Sequence, residues 1–259
     1  MRRLAVIICS LLITLATHAQ DASVLLAYVT AGEAASINPP PVSGYQVWFD
    51  ASDAASITES SGVVTQWSDK SGHGYHLIQP TTGLAPTRIS TNGYTAIQFD
   101  GVDNYMTNAI MPMATTSTWF IAICPGTTTL RWYFGNYIYP YHSVYGNVWL
   151  YAYNGDDSIY LANYQGTFAY MPYRGDWMGV ARGVVSCRYK SESPHTITVR
   201  KNGYPVNGAT KGSAASGIVS QTCRMANGSW HELLIFNRPL SDEEVLSVEA
   251  YLKAKWGTP

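Results

Sequence analysis

The chain has 259 residues, of which 46% are hydrophobic, 13% aromatic and 13% charged, and its formal net charge is −1. Disorder requires low hydrophobicity and high net charge, so this composition excludes a disordered chain. A basic excess that would neutralise a phosphate backbone is missing, which argues against nucleic-acid binding. Sandwiches and barrels of roughly 200–250 residues are common single domains, so the length suits one large unit.

Residues 1–20 have the features of a secretory signal peptide. Arg2 and Arg3 give a positive start, residues 4–16 form an uncharged and mostly apolar run, and Ala19 offers a small residue for cleavage. The run is shorter than the ~20 residues that span a bilayer. We therefore expect a secreted or cell-surface protein with no transmembrane span in the mature chain. The alternatives are an apolar N-terminal arm that stays attached and an uncleaved anchor.

Residues 21–44 predict a linker, because they end in three consecutive prolines, Pro39 to Pro41, and such runs favour an extended conformation. The globular domain is then predicted over residues 45–259. Four cysteines are present, and Cys9 leaves with the signal peptide. Cys187 and Cys223 are candidates for a disulfide in an oxidising compartment, whereas Cys124 lies in an apolar run and is expected to be a buried thiol.

Strand patterns dominate the predicted domain. Short aromatic and β-branched runs are separated by turn residues, and the clearest hairpin turn is Asn202-Gly203, because a type I′ turn needs positive φ at both central positions. Turns at short intervals without intervening helices favour an antiparallel sandwich or barrel. The predicted strands are 45–49, 63–67, 94–99, 117–124, 148–153, 158–162, 196–201, 204–206 and 230–236.

One helix is predicted at the C-terminal end. Ser241 and Glu244 have the spacing of a capping box, Leu240 and Val245 that of a hydrophobic staple, and Gly257 ends the helix. We expect the helix to pack on the strands through one apolar stripe, which consists of Val245, Val248, Leu252 and Trp256.

Three sequence blocks, in this order, resemble a known family. They are WFDASD with VTQWSDKSGHG (48–53 and 64–74), AIQFDGVDNYM (96–106), and ELLIFNRPLSDEE with YLKAKWG (232–244 and 251–257). The chain resembles the LamG-like, concanavalin A-type lectin/glucanase jelly rolls of bacterial secreted and phage proteins over about residues 45–257. The resemblance implies an all-β, two-sheet antiparallel jelly-roll sandwich with the C-terminal helix. It leaves function open, because this fold carries lectins, glycosidases and structural modules.

Four aspartates are candidate calcium ligands. Asp50 and Asp53 follow one predicted strand, Asp100 and Asp103 follow another, and carboxylate oxygens suit Ca²⁺ if the two loops meet. Carbohydrate-binding members of the resembling superfamily often hold calcium near the sugar. The alternative is turn structure, in which these carboxylates accept hydrogen bonds from backbone amides.

The catalytic patterns of the main hydrolase classes are missing. Glucanases of the resembling fold carry E-x-D-x-x-E on one strand, which this chain lacks, and only Glu232 of its seven Glu lies in a clear strand. Asp156, Asp157 and Asp176 have no spacing that demands a catalytic pair. No G-x-S-x-G and no metal-ligand spacing of His is present. We therefore expect a protein that is not an enzyme.

The most unusual feature is a dense group of aromatic residues. Fifteen Phe, Trp and Tyr lie in the forty-two residues from Trp132 to Tyr173. An exposed ring can stack on the C–H face of a sugar while neighbouring polar groups bond its hydroxyls. Cross-strand packing within the sheets and a protein–protein surface are the alternatives. The candidate ligand-binding residues are Tyr137, Tyr139, Tyr141, His142, Tyr145, Asn147 and Trp149.

These patterns together predict a secreted or surface-attached, non-catalytic carbohydrate-binding module whose partner is a polysaccharide or other glycan. A structural or adhesion protein, such as a phage virion decoration or appendage component in contact with other assembly proteins, is the main alternative. A glycosidase with a non-standard acid pair is the third.

Overall fold

The computed structural model describes residues 39–108, 111–114, 116–124, 130–135, 149–153, 158–163, 167–171, 182–190, 196–205, 218–221 and 224–259. The first nine strands are β1 (Val47–Asp50), β2 (Ile57–Ser60), β3 (Val63–Trp67), β4 (Leu77–Ile78), β5 (Thr87–Thr91), β6 (Tyr94–Phe99), β7 (Tyr105–Thr107), β8 (Met111–Ala114) and β9 (Ser117–Cys124). The next ten are β10 (Leu130–Gly135), β11 (Trp149–Tyr153), β12 (Ser158–Asn163), β13 (Thr167–Met171), β14 (Gly183–Lys190), β15 (Thr196–Lys201), β16 (Tyr204–Pro205), β17 (Ile218–Gln221), β18 (Arg224–Ala226) and β19 (Gly228–Phe236). Helix α1 (Asp242–Trp256) follows.

The strands form an antiparallel two-sheet sandwich, as predicted. In the first sheet, β19 is central: it pairs with β9 on one side and with β1 and β6 on the other, and β14, β15 and β16 extend the sheet beyond β9. The second sheet runs β2-β3-β4-β7-β18-β10-β11-β12-β13. β5 pairs with β6 and meets β3 at one bridge, while β8 and β17 form a separate pair.

Both faces of the first sheet are covered, which explains its nearly continuous apolar strands. One face holds Phe49, Leu233 and Ile121 in adjacent register and points to the second sheet, where Trp67 lies with its ring centroid 5.4 Å from that of Phe49. The other face points to α1. All four residues of β1 are buried, as are the first seven of β9. The predicted strand at residues 117–124 is confirmed, and its near-continuous apolar run is explained by burial on both faces.

The sequence signals for α1 are confirmed in detail. The Ser241 hydroxyl accepts from the Glu244 amide at 3.2 Å, and the Glu244 carboxylate accepts from the Ser241 amide at 2.8 Å. Gly257 ends the helix in the left-handed conformation with φ 56°. The predicted apolar stripe is buried, and the helix packs against β9 and β14.

A β-bulge at His231 alters the side-chain alternation of β19. Trp230 pairs with Ile123 and Glu232 pairs with Ala122, so His231 is the extra residue. Both His231 and Glu232 consequently contact the indole of Trp256 on α1. The centroids of the His231 and Trp256 rings are 5.0 Å apart, and Trp256 Nε1 donates to the Glu232 carboxylate at 2.8 Å. Strict alternation along a strand would have placed these two side chains on opposite faces.

The predicted Asn202-Gly203 hairpin is confirmed, because both residues have positive φ, 50° and 87°, and join β15 to β16. Of the predicted strands, 63–67, 94–99, 117–124 and 196–201 match the structure in both bounds. Several strands were missed, including β5 and the eight-residue β14.

Two further predictions concern the ends and the cysteines. Residues 1–38 lie outside the described residues, so the signal peptide stays a prediction; residues 40–259 form one compact unit. Cys187 is fully buried and has a free thiol in the structure. Its predicted disulfide partner, Cys223, lies outside the described residues, so the pairing stays a prediction. Within the described part of the chain, no helix is long and apolar enough to cross a membrane.

Candidate functional site

The predicted aromatic ligand site is not described by the structure. Residues 136–148, which include Tyr137, Tyr139, Tyr141, His142, Tyr145 and Asn147, lie outside the described residues. Trp149 begins β11, where only the backbone is described. This site therefore stays a prediction.

The predicted calcium site is not assembled in the structure. Asp50 and Asp53 do meet, but a lysine joins them: Lys70 Nζ lies 3.0 Å from Asp50 and 2.8 Å from Asp53. Asp100 instead accepts hydrogen bonds from the backbone amides of residues 102, 103 and 104, which is the turn role that the sequence left open. Among the described residues, no group of three or more His, Cys, Asp or Glu is placed to hold a metal ion.

Asp50 belongs to a buried ion cluster, which consists of Asp50, Asp53, Lys70, Glu232 and Lys255. Lys255 on α1 bridges the two fully buried carboxylates, with Nζ 2.9 Å from Asp50 and 2.8 Å from Glu232. Glu232 also accepts hydrogen bonds from Tyr251 Oη at 3.0 Å and from the indole nitrogens of Trp48 and Trp256, both at 2.8 Å.

The electrostatics of the ion cluster fit a structural role. Burial raises the pKa of both carboxyls, but Lys255, Ser52 and Lys70 outweigh it at Asp50 and leave that pKa lowered. At Glu232, burial prevails over Lys255 and leaves the pKa raised. Four donors surround Glu232 and its side chain has no exposed surface, so a polymeric substrate cannot reach it. The contacts of the ion cluster instead join α1 to β1 and β19.

An open groove lies on the same face of the first sheet, between α1 and the strands β14 and β15. Its volume is about 370 Å³. Ser186 and Arg188 project from β14, and Arg200 and Thr198 are their direct cross-strand neighbours on β15. The groove is lined by Ser186, Arg188, Thr198, Arg200, Asp242, Val245 and Leu246.

The two arginines of the groove are held differently. Arg200 Nε lies 2.9 and 3.0 Å from the two carboxylate oxygens of Glu249, which is buried and also accepts from Ser186 at 2.5 Å. Arg188 Nη1 donates to the Leu240 carbonyl at 2.9 Å and to Asp242 at 2.6 Å. The two arginine side chains are similarly buried, at 15% and 20% exposed, but the Asp242 side chain is 79% exposed whereas that of Glu249 is 3% exposed.

The groove is electrostatically positive at its open end. The hydrogen bond from Arg188 lowers the pKa of Asp242, and the charges of Arg188, Lys190 and Arg200 lower it further. An anion at the position of the Asp242 carboxylate is therefore stabilised by three cations and lies in the first turn of α1, where the helix dipole favours negative charge.

Sequence reasoning missed the groove because it missed β14. A period-2 signal was available: Ser186, Arg188 and Lys190 alternate with the apolar Cys187 and Tyr189. The sequence alone does not reveal that this polar face meets α1, because the contact joins residues about fifty positions apart, as from Arg188 to Leu240.

No protein-family model matches this chain, and no curated protein sequence matches it significantly. The LamG-like resemblance accordingly stays a prediction. Solved structures do match in fold. A sialidase from Trypanosoma rangeli has a TM-score of 0.52 at 11% identity, over 88% of this chain and 36% of the sialidase. The same sialidase in complex with 2,3-difluoro-KDN has a TM-score of 0.51 at 10% identity, over 85% and 34%.

The ligand-binding domain of botulinum neurotoxin serotype D, solved with N-acetylneuraminic acid, has a TM-score of 0.50 at 11% identity. It is matched over 80% of this chain and 51% of the toxin domain. This chain thus spans about a third of the sialidase and half of the toxin domain. At these identities the likeness shows a shared β-sandwich fold alone.

Proposed function

We propose that this chain is a secreted, non-catalytic carbohydrate-binding module that binds a glycan in the groove between α1 and β14–β15. The observation that carries the proposal is the groove itself, which combines arginine and hydroxyl donors with an apolar wall. A sugar ring presents hydroxyls on its rim and C–H groups on its face, and sugar sites match both with a few placed polar groups. Leu246, which is 51% exposed, and Val245 offer the apolar wall.

The fold supports this proposal, because domains of the same sandwich type occur in a sialidase and in a toxin domain solved with a sialic acid. Fold likeness does not transfer a ligand, so it supports the class of partner and not its identity. The predicted signal peptide supports secretion to a compartment where glycans are available.

The charges of the groove support binding without hydrolysis. A glycosidase needs one carboxyl that stays protonated as the general acid, and a raised pKa provides this. In the groove, Arg188 instead lowers the pKa of Asp242, and Glu249 accepts from Arg200 and Ser186. Both carboxylates are thus engaged by donors, and Asp242 lacks the raised pKa of a general acid.

A glycan array tests the proposal with the full chain and two tryptophan variants of α1. Leu246→Trp fills the groove from an already exposed position, and we expect it to reduce the array signal at least about tenfold. Ser247→Trp, one residue further on an exposed helix position, is the matched control and should bind like wild type. Absence of binding by the wild-type chain to any glycan would rule out the proposed function.

A further inference from the structure

We infer that the groove binds a sugar through a carboxylate of that sugar, which takes the place of Asp242 on Arg188. This inference rests on the proposed function and names its class of ligand: an acidic sugar, in place of a neutral one.

The two arginine pairs of the groove differ in how firmly the guanidinium is held. Arg200 is bound by both oxygens of a buried carboxylate, and its Nη2 donates to the Gly203 carbonyl, so its guanidinium is fixed. Arg188 is bound by one oxygen of Asp242, whose side chain is 79% exposed. Surface ion pairs of this type contribute about 0–1 kcal/mol, so a ligand carboxylate can displace Asp242 at little cost.

Arg188 is held in position by a contact that does not depend on Asp242. Its Nη1 also donates to the Leu240 carbonyl at 2.9 Å, and its side chain is only 15% exposed. The contacts described for Arg188 are both made through Nη1. A guanidinium carries further N–H donors on Nε and Nη2 in the same plane, which is the geometry that pairs with both oxygens of a carboxylate.

Positive charges are concentrated around the position of the Asp242 carboxylate. Lys190 lies two residues after Arg188 on the same face of β14, and Arg200 lies across on β15, so three cations surround one anion position at the start of α1. Among the described residues, the carboxylates paired with these arginines are Asp242 and Glu249, while Glu243 and Glu244 follow Asp242 in the first turn of α1. Displacing Asp242 therefore leaves a net positive site that a ligand carboxylate neutralises.

The rest of the groove fits a sugar ring attached to that carboxylate. Thr198 is directly across from Arg188 and can bond a ring hydroxyl, while Val245 and Leu246 face a C–H surface. The volume of about 370 Å³ lies within the range of roughly 300–1,000 Å³ found for small-ligand sites, and is at its lower end. It suits one or two rings.

The test compares acidic sugars with their neutral counterparts, using the full chain in calorimetric or NMR titrations. The ligands are the methyl glycosides of N-acetylneuraminic acid and of glucuronic acid, and the analogue of each in which the carboxyl is reduced to an alcohol. We expect at least one acid to bind about tenfold more tightly than its alcohol, and to lose that advantage at high salt. The two acids distinguish a sialic acid from a uronic acid as the source of the carboxylate.

Two substitutions should change the affinity for the acid in opposite directions. Arg188→Met removes the charge but keeps the apolar stem and should weaken binding at least tenfold. Asp242→Asn removes the competing carboxylate at an exposed position and should strengthen binding severalfold. Arg88→Met on β5 is the control and should leave binding unchanged. Arg88 likewise pairs with one carboxylate, that of Glu59, but lies outside the groove.

The outcomes separate the inference from the function on which it rests. If sugars bind but the alcohols bind as tightly as the acids, or Asp242→Asn leaves the affinity for the acid unchanged or lowers it, the inference is wrong and the proposed function stands. If neither acids, alcohols nor arrayed glycans bind, the proposed function fails as well.

Discussion

At the scale of single residues, the ion cluster shows how two carboxylates are tolerated in the interior. Glu232 and Asp50 are completely buried, and an unpaired buried charge costs several kcal/mol. Lys255 contacts both carboxylates, and the indoles of Trp48 and Trp256 donate to Glu232. The pairing does not make the cluster more stabilising than an apolar core, but it makes each partner necessary to the others.

Replacing Lys255 with methionine should therefore destabilise the protein strongly. Lys255→Met leaves Asp50 and Glu232 without their shared cation, and we expect the free energy of unfolding to fall by about 3–5 kcal/mol. Urea unfolding followed by fluorescence measures it. Lys253→Met, two residues earlier on α1, removes a contact from Nζ to the Asn202 carbonyl at 3.0 Å and a contact with the exposed Tyr204 ring at 5.9 Å, and should cost about 1 kcal/mol or less. Equal losses in the two variants would contradict this role of the cluster.

His231 gives the protein a pH-dependent stability. Burial lowers its pKa to about 4, because the ring is enclosed against Trp256; its bond to the Thr95 carbonyl opposes this shift. Below pH 6.5, the unfolded chain binds a proton at this residue that the folded chain does not bind until about pH 4. Stability should thus fall by up to about 3 kcal/mol between pH 6.5 and pH 4, since one pKa unit corresponds to about 1.4 kcal/mol.

Unfolding curves at pH 7, 5.5 and 4 for wild type and His231→Asn measure this contribution. Asparagine keeps a donor near the position of Nδ1 for the Thr95 carbonyl but does not titrate. The variant should lose less stability on acidification than wild type, although other groups contribute to both. Identical losses in the two proteins would exclude His231 as the source.

At the scale of elements, local chemistry was sufficient where it determines conformation by itself. The capping box of α1, the turn at Asn202-Gly203 and the strand at 117–124 were all predicted from neighbouring residues and are confirmed. The bulge at His231 was not, because it depends on a partner strand far away in the sequence. Strand β14 was missed although polar and apolar residues alternate along its second half. The candidate groove could not be predicted from local sequence either, because its two walls are brought together only by the packing of α1 on β14.

The end of α1 depends on Gly257, where φ is 56°. An added Cβ at this position is strained by the backbone and overlaps the hydroxyl of Tyr94, whose ring lies under Arg182. We expect Gly257→Ala to lower the free energy of unfolding by about 1–2 kcal/mol from the backbone alone, and more if Tyr94 must move. Thermal unfolding of both variants measures the change. Gly83→Ala is the control, because an added Cβ meets no atom within 4 Å there, and its free energy of unfolding should be close to that of wild type. A neutral Gly257→Ala would show that this end of the helix is dispensable.

At the scale of the whole molecule, the first sheet has helix α1 on one face and the second sheet on the other. Its strands therefore carry apolar side chains on both faces, and a search for alternating polar and apolar residues does not detect such strands reliably. Cys187 lies on the face toward the second sheet, because its neighbours Ser186 and Arg188 face α1 and side chains alternate along β14. Its register partners Trp119 and Val199 are buried. Burial also raises the pKa of this thiol well above its ordinary value.

Cys187 should consequently react with a thiol reagent only when the sandwich opens. We expect its alkylation, measured by peptide mass spectrometry, to be at least about 1,000-fold slower in the native protein than in urea, as follows from a domain stability of more than about 4 kcal/mol. Urea without a reductant should then make it fully reactive, because the structure contains it as a free thiol. If Cys187 reacts in urea only after a reductant is added, it is in a disulfide, and the pairing with Cys223 predicted from the sequence becomes the explanation to test. If it reacts rapidly in the native protein, the two sheets are not closed around it.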